Sequence, residues 1–397
     1  VTATALPAAA YALALTLLPG AGPVSLHGLL SERDPEQAWG EVRAGRLRRP
    51  TLRRGPSRDR VEWDTAARRI DPAAAWHRVR AAGIEVTWVG REDYPVALRA
   101  DPAPPAVLFW RGCLDGLRDP CVALVGTRHA TPEGRAVAFD LGRDLASAGV
   151  CVVSGLALGI DGAAHRGALL SARLGSTIGV AASGVDRIYP LRHRELWADV
   201  VRLGAVVSET PPGQPAQTWR FPARNRIIAG LVSMVVVVES HAAGGALITA
   251  DAAIERGIEV RAVPGPVRSP ASAGTNQLLY DGPGPVRDAA DVLLALGSIL
   301  PAARLRRPAS AGPAVVGGPP PRAVDGHQRA DASPSAAAVD APGDGGSVLQ
   351  AMGWHPRSFN WIVGQSRSDV ADVAAQLERL AAAGRVSEER GWWQRLN

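Results

Sequence analysis

The chain of 397 residues contains no lysine; all 44 of its basic side chains are arginine. This excludes chemistry that rests on a lysine amine, such as a Schiff base. It also removes the lysine that a P-loop places against a nucleotide phosphate. Cysteine is scarce as well. Cys113, Cys121 and Cys151 form no CxxC pair, and no histidine stands at zinc-ligand spacing from them. Neither a metal site nor a disulfide framework is therefore expected, and few cysteines in a long chain suit a reducing compartment. A long hydrophobic run is also missing. The apolar stretch 6–18 is interrupted by Pro7, and the first arginine is Arg33. It is too short to span a bilayer and has no positive charge before it, so neither a membrane span nor a secretory signal is expected. These absences point to a soluble cytoplasmic protein, and the net charge of +6 favours an anionic partner.

What is present is ordinary globular material, 46% hydrophobic and 21% charged. At about 100–200 residues per domain, two or three domains are expected. Residues 1–85 read as a helical domain and residues 86–300 as a strand-and-helix domain with a Pro-rich lead-in. Residues 301–346 are rich in Pro, Gly and Ala and contain no Phe, Trp or Tyr, which reads as a linker. Residues 347–397 regain periodic character and read as a small winged-helix domain.

Six short apolar runs, 121–125, 150–153, 177–182, 205–207, 234–238 and 258–263, alternate with helical patterns such as 135–148 and 247–256. Strands apolar on both faces, joined by helical crossovers, predict a Rossmann-like α/β fold: a doubly wound, mainly parallel sheet. Such sheets bind ligands beyond the carboxyl ends of their strands. Those ends read Gly126-Thr127-Arg128, Ser154-Gly155, Ser183-Gly184, Ser208-Glu209, Glu239-Ser240 and Pro264-Gly265. Small residues with free N–H groups before helix N-termini suit a phosphate, although they also make ordinary tight turns.

The individual motifs sharpen this. VGTRHATPEG lacks the GxGxxG dinucleotide fingerprint, but Arg128 sets a permanent planar cation beside the first turn, either for phosphate or for a structural ion pair. FPARNRIIAG offers Phe221, Arg224, Asn225 and Arg226, with Pro222 expected at the first helical position. Residues two apart do not share a helix face, so one of the two arginines is expected to pair internally, with Glu239 or Asp251 as candidates. Phe221 beside Arg can stack a base, or can act as a hydrophobic staple. In GIDGAAHRGAL, Asp161 and His165 stand one turn apart, and a capping Asp with a helix-face His is the preferred reading over an acid–base or metal pair. Gly244 and Gly245 before a helix carrying Thr249 form a candidate anion nest. LTLLPGAGPVSLHGLL reads as a helix-hairpin-helix, serving either DNA or packing. Residues 43–60 carry eight arginines against one acid, Asp59, which suits either a nucleic-acid arm or a solvated loop. In the last domain Ser368 is expected to cap a helix and VSEERGWWQRL to form a β wing. Asp369 and Asp372 at that helix start disfavour a DNA-reading role there.

The ordered motifs VALVGTR, SGLALGIDGAAHRGAL, ASGVDRIYP, SETPPG, FPARNRIIAGL, VVVESHAAGGALITADAAIERG and VPGP closely resemble the DNA processing protein A (DprA, also called Smf) family over residues 85–296. The resemblance implies an extended Rossmann-like domain that binds single-stranded DNA, a homodimer, and loading of the recombinase RecA onto incoming DNA in natural transformation and recombination, without enzymatic activity or cofactor. It carries the DNA site to Gly126, Arg128, Ser154, Gly155, Ser183, Gly184, Phe221, Arg224, Asn225, Gly244, Gly245 and Thr249. The sequence departs from the family at Leu158, where Arg is usual, and at Gly244 and Ala246, where Ser is common. The alternative is a nucleotide-monophosphate phosphoribohydrolase of related fold, whose GGxGTxxE pattern supplies a Glu. Here GGALITADAA puts Ala252 or Asp251 at that position, and neither restores the motif.

Overall fold

The helical segments at the start of the chain are short, and most begin on proline, whose fixed φ suits a first turn. They are α1 (Ala8–Thr16), α2 (Pro23–Leu30), α3 (Pro35–Arg43), α4 (Trp63–Arg69) and α5 (Pro72–Ala81). Asp34 and Asp71 cap α3 and α5 by accepting backbone N–H groups. The computed structural model describes residues 5–47 and 63–299, and in the C-terminal part 348–349, 357–358, 362, 366, 370–389 and 392–395. Most of the arginine-rich stretch, residues 48–60, and the expected linker 301–346 lie outside the described residues. The chain divides into two units, Val1–Ala311 and Gly312–Asn397.

In the first unit the strands are β1 (Glu85–Trp88), β2 (Val107–Gly112), β3 (Cys121–Gly126), β4 (Cys151–Ser154), β5 (Thr177–Val180), β6 (Ala205–Ser208), β7 (Met234–Glu239), β8 (Glu259–Ala262) and β9 (Gly284–Pro285). They form one sheet in the order β1-β2-β6-β5-β4-β3-β7-β8-β9. All pairings from β6 through to β9 are parallel, and β1 and β2 add antiparallel to the β6 edge. All six runs read from the sequence are strands, and the fold is the expected Rossmann-like one. The Pro-rich lead-in differs from expectation in supplying the antiparallel strand β2, paired between β1 and β6, whose Leu108 and Phe109 are fully buried.

Period-two alternation explains why both sheet faces are covered. Val122 and Leu124 of β3 pack with α7 (Pro132–Ser147), α8 (Ile160–Leu169) and α13 (Ala289–Ile299); the short α6 (Val96–Arg99) precedes β2. Ala123 and Val125 face the other way, onto α10 (Arg220–Gly230), α11 (Gly245–Ile254) and α12 (Ala273–Asp281). The N-terminal helices share a third apolar cluster with β1, β2 and α9 (Arg194–Leu203), in which Leu13, Trp39 and Trp63 meet Val86, Phe109 and Trp197. Each such buried side chain contributes about 1.5–3 kcal/mol. The expected hairpin is present as α1 and α2 flanking Pro19-Gly20-Ala21-Gly22, and the Trp63 indole N–H closes it by donating to the Pro19 carbonyl at 3.0 Å.

In the second unit the helix Val370–Ala382 buries Val373, Leu377 and Leu380, and strands Val386–Glu389 and Trp392–Arg395 pair as an antiparallel ribbon. Asp372 is exposed in the helix's first turn, whereas Ser368 and Asp369 lie outside the described residues. No helix among the described residues is long and apolar enough to cross a membrane.

Candidate nucleic-acid interface

The strand order reverses between β3 and β7, whose connections leave on opposite sides of the sheet. A crevice opens at such a switch point because neither loop covers its neighbour. Here it is a cavity of about 350 Å³, bounded by Gly126, Thr127 and Arg128 after β3, by Gly244, Gly245 and Thr249 after β7, and by Phe221, Arg224 and Asn225 of α10. Nine of the residues read from the sequence therefore line one crevice.

The loop after β3 is held from below. Glu239, at the end of β7, accepts from the Thr131 N–H at 2.8 Å and from its hydroxyl at 2.7 Å, and Thr131 in turn caps α7. Gly159 has φ +79°, and a Cβ there would stand 2.3 Å from the Thr127 carbonyl, so only glycine lets α8 start this close to the loop. Arg128 is left exposed, with its guanidinium 4.7 Å from the centroid of the Phe221 ring. It makes no ion pair among the described residues. Phe221 also meets Tyr189 at 5.5 Å between ring centroids. It stands over the crevice rather than acting as a staple, and Arg128 is a stacked, uncommitted cation. On the facing side the N–H groups of Gly245 and Ala246, at the start of α11, find no acceptor among the described residues. They are orphan helix-terminal donors suited to an anion.

Helix α10 begins at Arg220 rather than at Pro222, which is its third residue and needs no N–H partner there. The two arginines separate as helix geometry requires, but neither Glu239 nor Asp251 takes one. Arg226 pairs with Glu209 at 2.6 Å and does not line the crevice. Its expected place in the DNA site is corrected to a structural one. Arg224 is buried, donates from Nη1 to the Val180 carbonyl at 2.8 Å, and lines the crevice. Burial pushes its guanidinium down to about 10, against the pull of nearby Asp161. Asp161 is buried too, and desolvation raises its carboxyl while Arg224 lowers it. The cap of α8 is Gly159, not Asp161, which instead accepts from the Gly155 and Ala157 N–H groups at 3.1 and 3.3 Å. A Cβ at 155 would lie 1.8 Å from Arg224 Nη1, so glycine there makes room for the guanidinium.

Other expected residues fall away from the crevice. Ser154 and Ser183 are buried, and their hydroxyls donate to the carbonyls of Leu124 and Arg187 at 2.6 Å each. Gly184 lies against Pro211 and Pro212. Gly155 lines a smaller adjoining cavity with Leu158 and Tyr189. His165 is buried on α8, and no group of three metal-ligating side chains occurs among the described residues. The sequence reading missed His129, Tyr189 and Ile248 as lining residues. Only the proximity of His129 to Arg128 hinted at any of them.

Residues 85–297 match the family described as DNA recombination-mediator protein A, which is more than half of the chain. The chain belongs to this family. It is similar to a DNA processing protein DprA of Bacillus subtilis, 38% identical over 214 residues, covering 54% of this chain and 71% of that protein. It is 42% identical over 192 residues to Protein Smf of Escherichia coli, covering 48% of this chain but only 51% of that protein. The solved structure of DNA processing protein A from Streptococcus pneumoniae aligns with a TM-score of 0.60 at 29% identity, over 73% of this chain and 98% of that one. Against the family pattern read from the motifs, Leu158 sits in the wall of the adjoining cavity, where it offers no cation. Gly244 packs against Ser240, whose Oγ a Cβ at 244 would meet at 2.2 Å, so serine does not fit there without a shift.

Proposed function

We infer that this member of the DNA processing family binds single-stranded DNA at the β3/β7 switch point, without chemistry. The observation that carries this reading is Arg128: an exposed guanidinium stacked on Phe221, with no carboxylate partner among the described residues, facing the orphan N–H groups of α11. An aromatic face takes a splayed base, and the arginine and the backbone donors take its phosphates. Duplex DNA hides its bases in the stack and cannot use the ring. The phosphoribohydrolase alternative needs a free carboxylate at this edge. Glu239 is engaged through both oxygens by Thr131, and Glu209 pairs with Arg226 outside the lining of this crevice, which supports binding over hydrolysis. By family resemblance the bound strand is handed to the recombinase RecA by a cytoplasmic homodimer, and the C-terminal unit is a winged helix.

A gel shift with matched single-stranded and duplex oligonucleotides at two salt concentrations tests the binding. Preference for the single strand, weakening as salt rises, is the expected result. Equal affinity for both would sink the reading. Release of free base from nucleotide monophosphates would replace it with the hydrolase.

A further inference from the structure

A second cavity, of about 430 Å³, lies between the N-terminal hairpin and the sheet. This is within the size of ligand clefts, roughly 300–1,000 Å³. Leu17, Leu18 and Leu26 of the hairpin and Val107 of β2 form its apolar walls, and Glu209 and Arg220 its polar ones. Arg224 lines this cavity and the switch-point crevice alike, so the two are neighbours across the first turns of α10. Arg224 also keeps a buried Nε without an acceptor among the described residues.

Two features say what enters. Trp219 stands in the wall 64% exposed, with the Arg220 guanidinium 5.0 Å from its ring centroid. A large exposed ring beside a cation is a stacking platform for a base. Glu209 Oε2 accepts from Arg226 Nη2 at 2.6 Å, while its Oε1 receives no hydrogen bond among the described residues. A carboxylate in the wall repels phosphate and accepts from an N–H donor. Cytosine offers an exocyclic amine to such an acceptor, as do adenine and guanine, whereas thymine presents a carbonyl at the same place.

We propose that this cavity is a second nucleobase subsite, which admits a base carrying an exocyclic amine, reads it through Glu209 and stacks it on Trp219. The N-terminal hairpin is then part of the DNA-binding surface. This rests on the single-strand reading of the switch-point crevice.

The test compares Kd of the full chain for oligo(dC) and oligo(dT) of equal length at one ionic strength. The wild type is expected to bind oligo(dC) about fivefold tighter. Ala21→Trp fills the cavity from the hairpin side and is expected to abolish that preference while leaving oligo(dT) within about twofold. Gln214→Trp plugs it from the opposite wall and gives the same readout if a thermal melt shows Ala21→Trp unfolded. Trp219→Ala should weaken oligo(dC) about fivefold, to the level of oligo(dT), and leave oligo(dT) within about twofold, with Trp219→Phe recovering most of the loss. Equal binding of the two oligonucleotides by the wild type, a preference that survives both plugs, or a Trp219→Ala protein that binds like wild type each overturns the subsite. If the wild type binds neither oligonucleotide, the single-strand reading itself has failed. If it binds both equally and Arg128→Ala weakens both, that reading stands and only the second subsite falls.

Discussion

The carboxyl edge of this sheet has two halves built from the same residue types, and they do opposite things. Over β4, β5 and β6 the polar groups turn inward: Ser154, Ser183 and Ser208 donate to the carbonyls of Leu124, Arg187 and Ala181, and Arg224 donates to that of Val180. Over β3 and β7 the groups stay open, with Arg128 stacked on Phe221 and Gly245 facing empty space. Glycine and serine at a strand end therefore do not by themselves make a ligand site. The strand order does, because it leaves a gap only where neighbouring connections diverge.

Arg224 and Arg128 give the widest test of that contrast. Arg224→Ala strips a buried carbonyl of its donor and leaves Asp161 without its main compensating charge. A loss of about 3 kcal/mol or more in stability is expected, read as a large drop in Tm or in the denaturant midpoint. Adding Asp161→Asn should return part of that loss, because the two side chains are coupled. An Arg224→Ala protein as stable as wild type would show the closed half to be no closed half at all.

Arg128→Ala should do the reverse. Its Tm is expected to change little, since the side chain is exposed and makes no ion pair among the described residues. Affinity for single-stranded DNA should fall by about 1.5–3 kcal/mol, roughly ten- to hundredfold. The log–log salt slope should shrink by about 0.7 for the phosphate no longer neutralised. A destabilised variant with an unchanged slope would move Arg128 to the structural half and leave the crevice to its backbone donors.

This division shows what the sequence could and could not say. The six strands were legible because β-branched runs apolar on both faces have few other uses, and each run became a strand. Phe221, Arg128 and the Gly244-Gly245 turn were legible because their residue types suit a phosphate and a base, and all of them line the crevice. The inward turn of Ser154 and Ser183 was not legible, since a hydroxyl that caps a carbonyl and one that meets a ligand look alike in one dimension. The partner of Arg226 was missed for a similar reason. Glu209 is 17 residues away and meets it only because α10 folds back over the end of β6. Strand β2 was hidden by Pro102, Pro104 and Pro105, which precede it and lie outside its hydrogen-bonded span Val107–Gly112.

The third expected effect concerns pH and the closed half. His165 packs against β4 and β5. The Thr177 hydroxyl spends its proton on the Val152 carbonyl at 2.8 Å, so at 2.7 Å it accepts from His165 Nδ1–H, and the buried Nε2 has no hydrogen-bond partner among the described residues. Burial pushes the imidazole down to about 3 from its ordinary 6.5, with the His193 and Arg224 charges adding to the shift. The unfolded chain takes up this proton below pH 6.5 and the folded chain refuses it until about pH 3. The contribution is thus fully present above pH 6.5 and is lost as pH falls, by up to about 1.4 kcal/mol per pH unit. Denaturant melts of wild type and His165→Asn between pH 6.5 and 4 should converge as the pH drops. Parallel curves would mean that His165 is protonated in the fold.

The smallest effects divide the two halves most finely. Ser154→Ala and Ser183→Ala each remove a hydroxyl that is fully enclosed and serves only a backbone carbonyl. Each should cost about 0.5–1.5 kcal/mol in stability and leave Kd for single-stranded DNA within about twofold. Gly245→Ala makes the opposite change. Its added methyl meets no protein atom within 4 Å, so the fold accepts it without strain, and alanine suits a helix better than glycine. The methyl instead projects into the space the ligand needs, beside the orphan N–H groups of α11. A Tm at or slightly above wild type with severalfold weaker DNA binding is the expected result. Should the serine variants lose affinity while Gly245→Ala keeps it, the strand would run over β4 and β5 instead, and the switch-point crevice would not be where it binds.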